Sequence, residues 1–212
     1  MKEIVLEVWG DFACFTMPYS KVERLSYAVP TPSAARGILS AIYMKPVEFY
    51  WGINRIEVLN PIQYISFKRN EVESKVSTKP ISAEDERTQR QMVALKDVRY
   101  RIAASIIPQG DYIGKETQLY EQALRRIRGG KCYFQPSLGM REFACYFEES
   151  DGLKAPIDVS MDLGLMVYDV FNIHDNTVKK KTTTSLSLYH AVMEHGVILV
   201  PPYDSPDVLK GV

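Results

Sequence analysis

Histidine is scarce in this chain: three residues in 212, His174, His190 and His195. None has a second ligating side chain at metal-site spacing, so a histidine-built metal centre is not expected. The three cysteines, Cys14, Cys132 and Cys145, cannot form an even disulfide set. Cys132 and Cys145 are too far apart for a CxxC pair, and all three read as small buried apolar residues. No apolar run reaches the length of a membrane span. Met1-Lys-Glu leads straight into strand-like sequence, with no leader-type segment ahead of it. The expectation is a reducing cytoplasmic setting with no membrane partner. Charge of one sign is not in excess either: 26 Lys and Arg balance 26 Asp and Glu. That excludes a whole-molecule basic field, so any nucleic-acid contact must come from a local patch. There is no glycine-rich phosphate loop, no Ser-His-Asp arrangement, no two-metal carboxylate pattern, no repeat and no low-complexity tract. Neither a metal nor a cofactor is expected.

What is present is an ordinary apolar fraction, 46%, enough for one large domain or two small ones. The 13 tyrosines can pack in a core or stack on bases, and packing is the default. The most informative stretch is Val29 to Pro46. Thr31 suits an N-cap and Pro32 the first helical position, where a missing N–H costs nothing. Ala35, Ile38, Leu39 and Ile42 recur at helical spacing. Pro46 stops the helix, predicted over 32–44, because the residue before a proline avoids the α region. Tyr43, Met44 and Lys45 are left in the last turn, where a phenol and an ammonium make a candidate chemical site.

Ile4 to Trp9 alternates like a half-buried strand. Phe49 to Leu59 and Ile62 to Arg69 are strand-like and, joined by Asn60-Pro61, read as an antiparallel pair. Residues 70–91 are polar and charged and read as a mobile insertion. Strand character returns at Asp97 to Ile107. Lys115 to Arg128 is a helix with a Leu119, Ala123, Leu124, Ile127 stripe, ended by Gly129-Gly130. Glu142 to Phe147 is strand-like again. The order βαββαβ is that of a ferredoxin-like, split-βαβ domain over residues 1–150. Leu163 to Phe171 and Ser185 to Val200 then read as strands of a small antiparallel sheet over 151–212. The fold class is α+β.

Several blocks resemble a known family. They are Trp9-Gly-Asp-Phe-Ala-Cys-Phe-Thr, Glu23 through Leu39, Ala41-Ile-Tyr-Met-Lys-Pro, Asn60-Pro-Ile-Gln, Cys132-Tyr-Phe-Gln-Pro-Ser-Leu-Gly-Met-Arg-Glu-Phe and Glu194-His-Gly-Val-Ile. In this order they resemble the CRISPR-associated RAMP-superfamily subunit of type I-C systems, the fifth Cas family, over nearly the whole chain. The resemblance implies a ferredoxin-like domain with a small C-terminal sheet. It implies a metal-independent endoribonuclease that cuts precursor CRISPR RNA within its repeat by 2′-OH attack. The product's 5′ handle is then retained beside the other subunits of a surveillance complex, so the implied partners are CRISPR repeat RNA and those subunits. The family's site is a Tyr at the end of the first helix and a Lys-His pair at the second. The Tyr falls on Tyr43. The pair falls on Lys115-Glu116 if Leu119 and Leu124 keep register, or on Gln118-Leu119 in an ungapped alignment back from Cys132. Either way the histidine is missing. That departure supports an alternative, a non-catalytic scaffold holding the 5′ handle.

Internal transesterification needs a base for the 2′-OH, a cation for the phosphate and an acid for the leaving oxygen. Tyr43 serves as base or acid if a nearby cation lowers its pKa from about 10. Lys115 or Lys45 can supply that cation. Glu116 can act as a base, although a phosphate repels it. Arg125, Arg126, Arg128 and Lys131 cluster at Gly129-Gly130 as either a solvated helix end or a phosphate clamp. Arg24, Lys45 and Lys68-Arg69 are further phosphate candidates; Lys179-Lys-Lys181 reads as a solvated turn. Tyr133 and Phe134 can stack bases, with core packing the default. The histidines read as structural or solvent-facing, His195 at a turn with Gly196.

Overall fold

The computed structural model describes residues 2–20, 22–74, 82–173 and 185–211. In chain order its elements are β1 (Glu3–Ala13), β2 (Arg24–Leu25), α1 (Pro32–Ile42), β3 (Phe49–Val58), β4 (Tyr64–Val72) and β5 (Arg87–Pro108). After a short turn at Gly110–Tyr112 come α2 (Glu116–Arg128), β6 (Tyr146–Glu149), β7 (Met161–Asp169), β8 (Ser187–Glu194), β9 (Val197–Leu199) and β10 (Val208–Lys210). The fold is α+β: two helices and one large, mainly antiparallel sheet ordered β10-β8-β9-β3-β5-β1-β6, with β2 and β4 along β5 and β7 on β8. Ile4, Leu6 and Val8 alternate along β1 and are buried, as a strand with one core face requires.

Two expectations need correction. The strand at 64–72 does not pair with β3; it pairs with β5, from Tyr64 opposite Leu95 to Val72 opposite Arg87. β5 has 22 residues, about 70 Å of extended chain, so it takes β4 along its first half and β1 and β3 along its second. The mobile insertion is also wrong where it can be checked, since Asn70–Val72 and Arg87–Gln91 are paired arms of that hairpin. Its tip, 75–81, lies outside the described residues. No residue of β4 is fully buried. Its ladder is reinforced by Glu71, which meets Arg69 and Arg90 at 3.2 Å each and Arg24 at 3.9 Å. The C-terminal strands are antiparallel as expected, and they join the same sheet where β9 pairs with β3. His195 and Gly196 both have positive φ and make the two-residue turn between β8 and β9.

α1 starts as its sequence dictates, with the Thr31 hydroxyl accepting from the Ala34 N–H at 3.1 Å and Pro32 in the first turn. Ala35, Ile38, Leu39 and Ile42 are buried. The helix is two residues shorter than the spacing predicts, and Tyr43 is its extended C-cap. α2 ends in a Schellman motif. The Lys131 N–H donates to the Arg126 carbonyl at 2.9 Å and the Gly130 N–H to Ile127 at 3.0 Å, with Gly130 at φ 59°. That reversal returns the chain so that the Tyr133 and Phe134 N–H groups donate to the Ala41 carbonyl. A Cβ at this φ is disfavoured, so Gly130→Ala is expected to cost about 1–2 kcal/mol, read as a lower urea midpoint at constant slope.

Candidate functional site

The carbonyls of Ala41, Ile42 and Tyr43 at the end of α1 are taken, and the groups taking them define a site. Tyr133 and Phe134 occupy Ala41, the Arg126 Nε donates to Ile42 at 2.9 Å, and the Trp51 indole N–H donates to Tyr43 at 2.8 Å. The loop after α2, α2 itself and β3 are thereby fixed around one residue. Tyr43 is 4% exposed, packed on Phe49 with ring centroids 5.2 Å apart. Its hydroxyl is buried and has no hydrogen-bond partner among the described residues. Such a group costs about 1–3 kcal/mol, a burden that structural tyrosines normally avoid.

Two cations stand beside this phenol. The Arg126 guanidinium lies 6.0 Å from the ring centroid. Lys45, two residues along, holds Glu48 at 2.8 Å, a hydrogen bond that keeps its ammonium protonated above its ordinary range. The condition set for Tyr43, a pKa lowered by a nearby cation, is not met on balance. Burial dominates and pushes Tyr43 above 10, against the downward pull of Lys45 and Arg126. The hydroxyl therefore keeps its proton at neutral pH and can donate but not act as a base.

Lys115 is the N-cap residue of α2, a poor place for a cation next to a helix dipole. Its ammonium sits 4.8 Å from the Tyr112 ring centroid, and Tyr112 is also within electrostatic reach of Lys45. Tyr112 thus links the two lysines. Nothing in its turn sequence singles it out, and it was not among the expected site residues. The Glu116 carboxylate accepts from the Gly114 N–H at 3.1 Å and lines a separate cavity of about 290 Å3 with Lys2, Ile106 and Tyr120. In the rival register, Gln118 is exposed and Leu119 belongs to the buried stripe of α2.

The basic cluster is divided. Arg126 is partly buried against α1; Arg125 and Lys131 are exposed, with no ion-pair partner among the described residues. Arg128 is engaged by both oxygens of Glu149, at 2.6 and 3.0 Å. Arg24 is not brought here. It lies beside Met92 of β5, whereas Phe49, next to Tyr43, pairs with Pro108, about 50 Å further along the strand. Arg69 is on the same remote hairpin. Tyr133 and Phe134 are 74% and 53% exposed, which overturns their reading as core and leaves two rings free to stack beside the helix end. His190 pairs with Asp162 and His195 with Asp158, each at 2.6 Å on the surface. His174 and Lys179–Lys181 lie outside the described residues. Among the described residues no three His, Cys, Asp or Glu side chains gather as a metal site, and no helix is long and apolar enough to cross a membrane.

The family model Cas_Cas5d, described as a CRISPR-associated protein, matches residues 3–201. The chain is 39% identical to the CRISPR pre-crRNA endoribonuclease Cas5d of Mannheimia succiniciproducens over 98% of each chain. It is 41% identical to the protein of the same name from Thermus thermophilus, over 82% of this chain and 76% of that one. Among solved structures, a functionally uncharacterized protein from Streptococcus mutans superposes with a TM-score of 0.69 at 24% identity, covering 98% of this chain and 97% of that one. A CRISPR-associated protein superposes equally well, at 0.69 and 23% identity, covering 98% and 96%. These two establish likeness of fold.

Proposed function

The chain belongs to the Cas5d family of CRISPR-associated proteins, and from that premise we propose that it is an endoribonuclease cutting precursor CRISPR RNA within the repeat. Two relatives that carry this activity in their names match most of the chain, at 39% and 41% identity. The single observation that carries the reading at residue level is the buried, unpartnered Tyr43 hydroxyl within electrostatic reach of Lys45 and Arg126. We read residues 1–150 as a ferredoxin-like unit, supported by the order β6-β1-β5-β3 with α1 and α2 as its crossovers, and 151–212 as a second unit whose strands extend that sheet past β3.

In the proposed reaction the ribose 2′ oxygen attacks the adjacent phosphorus as its proton passes to solvent, the P–O5′ bond breaks, and the departing 5′ oxygen takes up a proton. No metal is required. The nucleophile is already tethered, so positioning does much of the work. A phosphate entering between Lys45 and Arg126 replaces Glu48 on the ammonium, and both cations neutralise the charge that builds on it. Tyr43 donates its proton or a hydrogen bond to that charge. Lys115, held against Tyr112, adds a third cation. Arg125 and Lys131 grip the flanking backbone, and Tyr133 and Phe134 stack on unpaired bases. Glu116 stands where the family has histidine, and its bond to Gly114 makes it the anchor of the α2 start rather than the base. After cleavage the protein keeps the 5′ handle and joins the other surveillance-complex subunits.

Cleavage is expected to proceed at full rate in EDTA and to persist in Glu116→Gln within about threefold, while Lys115→Ala slows it at least tenfold. Because the phenol must stay protonated and its pKa is raised, activity is retained as pH rises toward 10 and is lost only above it. Single-turnover rates across pH check this; a decline beginning near pH 8 contradicts it. The absent histidine favours a second reading, a handle-holding scaffold, which binding of repeat RNA without any cut would establish.

A further inference from the structure

We propose that the cavity between the start of α1 and the C-terminal strands receives one unstacked nucleobase, guanine before the others, from the single strand beside the scissile linkage. The inference rests on the endoribonuclease reading and adds which part of the RNA is read. The cavity measures about 570 Å3, within the range of about 300–1,000 Å3 typical of sites for small ligands. Four aromatic residues line it, Tyr50, Trp51, Tyr168 and Tyr203, together with the polar residues Arg36, Asn54 and Ser105. Flat rings with a few hydrogen-bonding edges are what a splayed-out base requires.

Arg36 supplies the edge. Its guanidinium pairs with Asp169, which is 1% exposed. The other Asp169 oxygen accepts from the Val170 and Phe171 N–H groups at 2.8 and 3.0 Å. The carboxylate is therefore saturated by its own loop, and its remaining effect is to hold the guanidinium in place. A guanidinium fixed in this way presents a planar fork, the partner of the O6 and N7 acceptors on guanine.

The cavity also continues toward the proposed scissile site. A second one, about 290 Å3, shares Arg36, Tyr50, Trp51 and Ile173 with the first and runs on to Met44, Lys45 and Pro46. Together they flank α1 along its 11 residues, about 16 Å. Trp51 connects the ends physically, since its ring lines both cavities while its N–H holds the Tyr43 carbonyl at 2.8 Å. A strand whose phosphate lies at Lys45 thus has a path for a neighbouring base to reach Arg36.

The test uses the full chain and its cognate repeat RNA, with single abasic replacements through the unpaired nucleotides beside the cut. Affinity is expected to fall tenfold or more at one guanosine and to stay within twofold elsewhere. 7-Deazaguanine at that position reproduces much of the loss. Arg36→Lys keeps the pair with Asp169 and loses the fork; it binds the intact RNA as weakly as wild type binds the abasic RNA, with no further loss when the two are combined. Pro202→Trp, at the exposed mouth of the cavity, does the same without touching the ion pair. Tolerance of every abasic site overturns the proposal, as does a base effect that Arg36→Lys leaves unchanged. Cleavage of the unmodified RNA is scored in parallel, so a failed pocket with normal cutting is told apart from a failed nuclease reading.

Discussion

Tyr43→Phe is expected to make the protein more stable and nearly inactive. The substitution removes one oxygen that is buried without a partner. Relief of that unmet hydrogen bond stabilises the fold by about 1 kcal/mol or more, visible as a higher urea midpoint at unchanged slope. The ring stays, so its contacts with Phe49 and Arg126 stay. Single-turnover cleavage of the repeat RNA falls by about 10²–10³, the usual loss for a donor aimed at developing charge. The opposite signs separate a functional hydroxyl from a structural one. A residue kept only for packing gives little change in rate; a hydroxyl with a hidden structural partner gives a loss of stability.

Arg101→Met is expected to cost about 3 kcal/mol or more, because breaking a buried charge pair from one side strands the other. Arg101 is buried on the face of the sheet away from α1, with Nη1 on Glu57 at 2.6 Å, Nε on Ser150 at 2.7 Å and Nη2 on the Lys154 carbonyl at 2.7 Å. Glu7 is buried beside it at 3.6 Å. One guanidinium therefore neutralises two buried carboxylates and ties the segment after β6 to the sheet. Glu7 keeps Arg99 and Glu57 keeps Arg55, which places the cost toward the lower end of the usual range. Arg101→Met/Glu57→Gln recovers part of the loss in a double-mutant cycle, whereas a purely steric role for Arg101 gives additive losses. Cleavage per folded molecule is retained, since none of these groups touches the Tyr43 site.

Elements whose signal is local were legible in the sequence. Thr31, Pro32 and the apolar stripe gave α1, and Gly129-Gly130 gave the end of α2, because caps and periodicity act within a few residues. The hairpin of β4 and β5 was not legible. Its arms alternate between exposed and half-buried, and Glu71 draws its arginines from three segments, so 70–91 carries the composition of a loop. Strand pairing failed for a related reason: neighbours in sequence were taken as neighbours in space, and β5 is long enough to take β3 and β4 one after the other along the same edge. Within the site, Tyr43, Lys45 and Arg126 could be named. Their meeting could not, since it depends on carbonyls at the end of α1 being claimed by α2, β3 and the Lys131–Phe134 return. Tyr112 carried no mark in sequence at all, and Arg36 was marked only as one residue of the Glu23 through Leu39 block. The direction of the phenol's pKa shift stayed open in the sequence, because burial outweighs two cations whose positions only the fold supplies.

The most direct test of 2′-OH attack at Tyr43 is a repeat RNA carrying one 2′-deoxy sugar immediately 5′ of the cut, incubated with the wild-type chain in EDTA. This RNA is expected to bind as tightly as the all-ribose form and to remain whole, while the ribose form is cut once and ends in a 2′,3′-cyclic phosphate. Cleavage of the deoxy-substituted RNA at the same linkage would contradict 2′-OH attack.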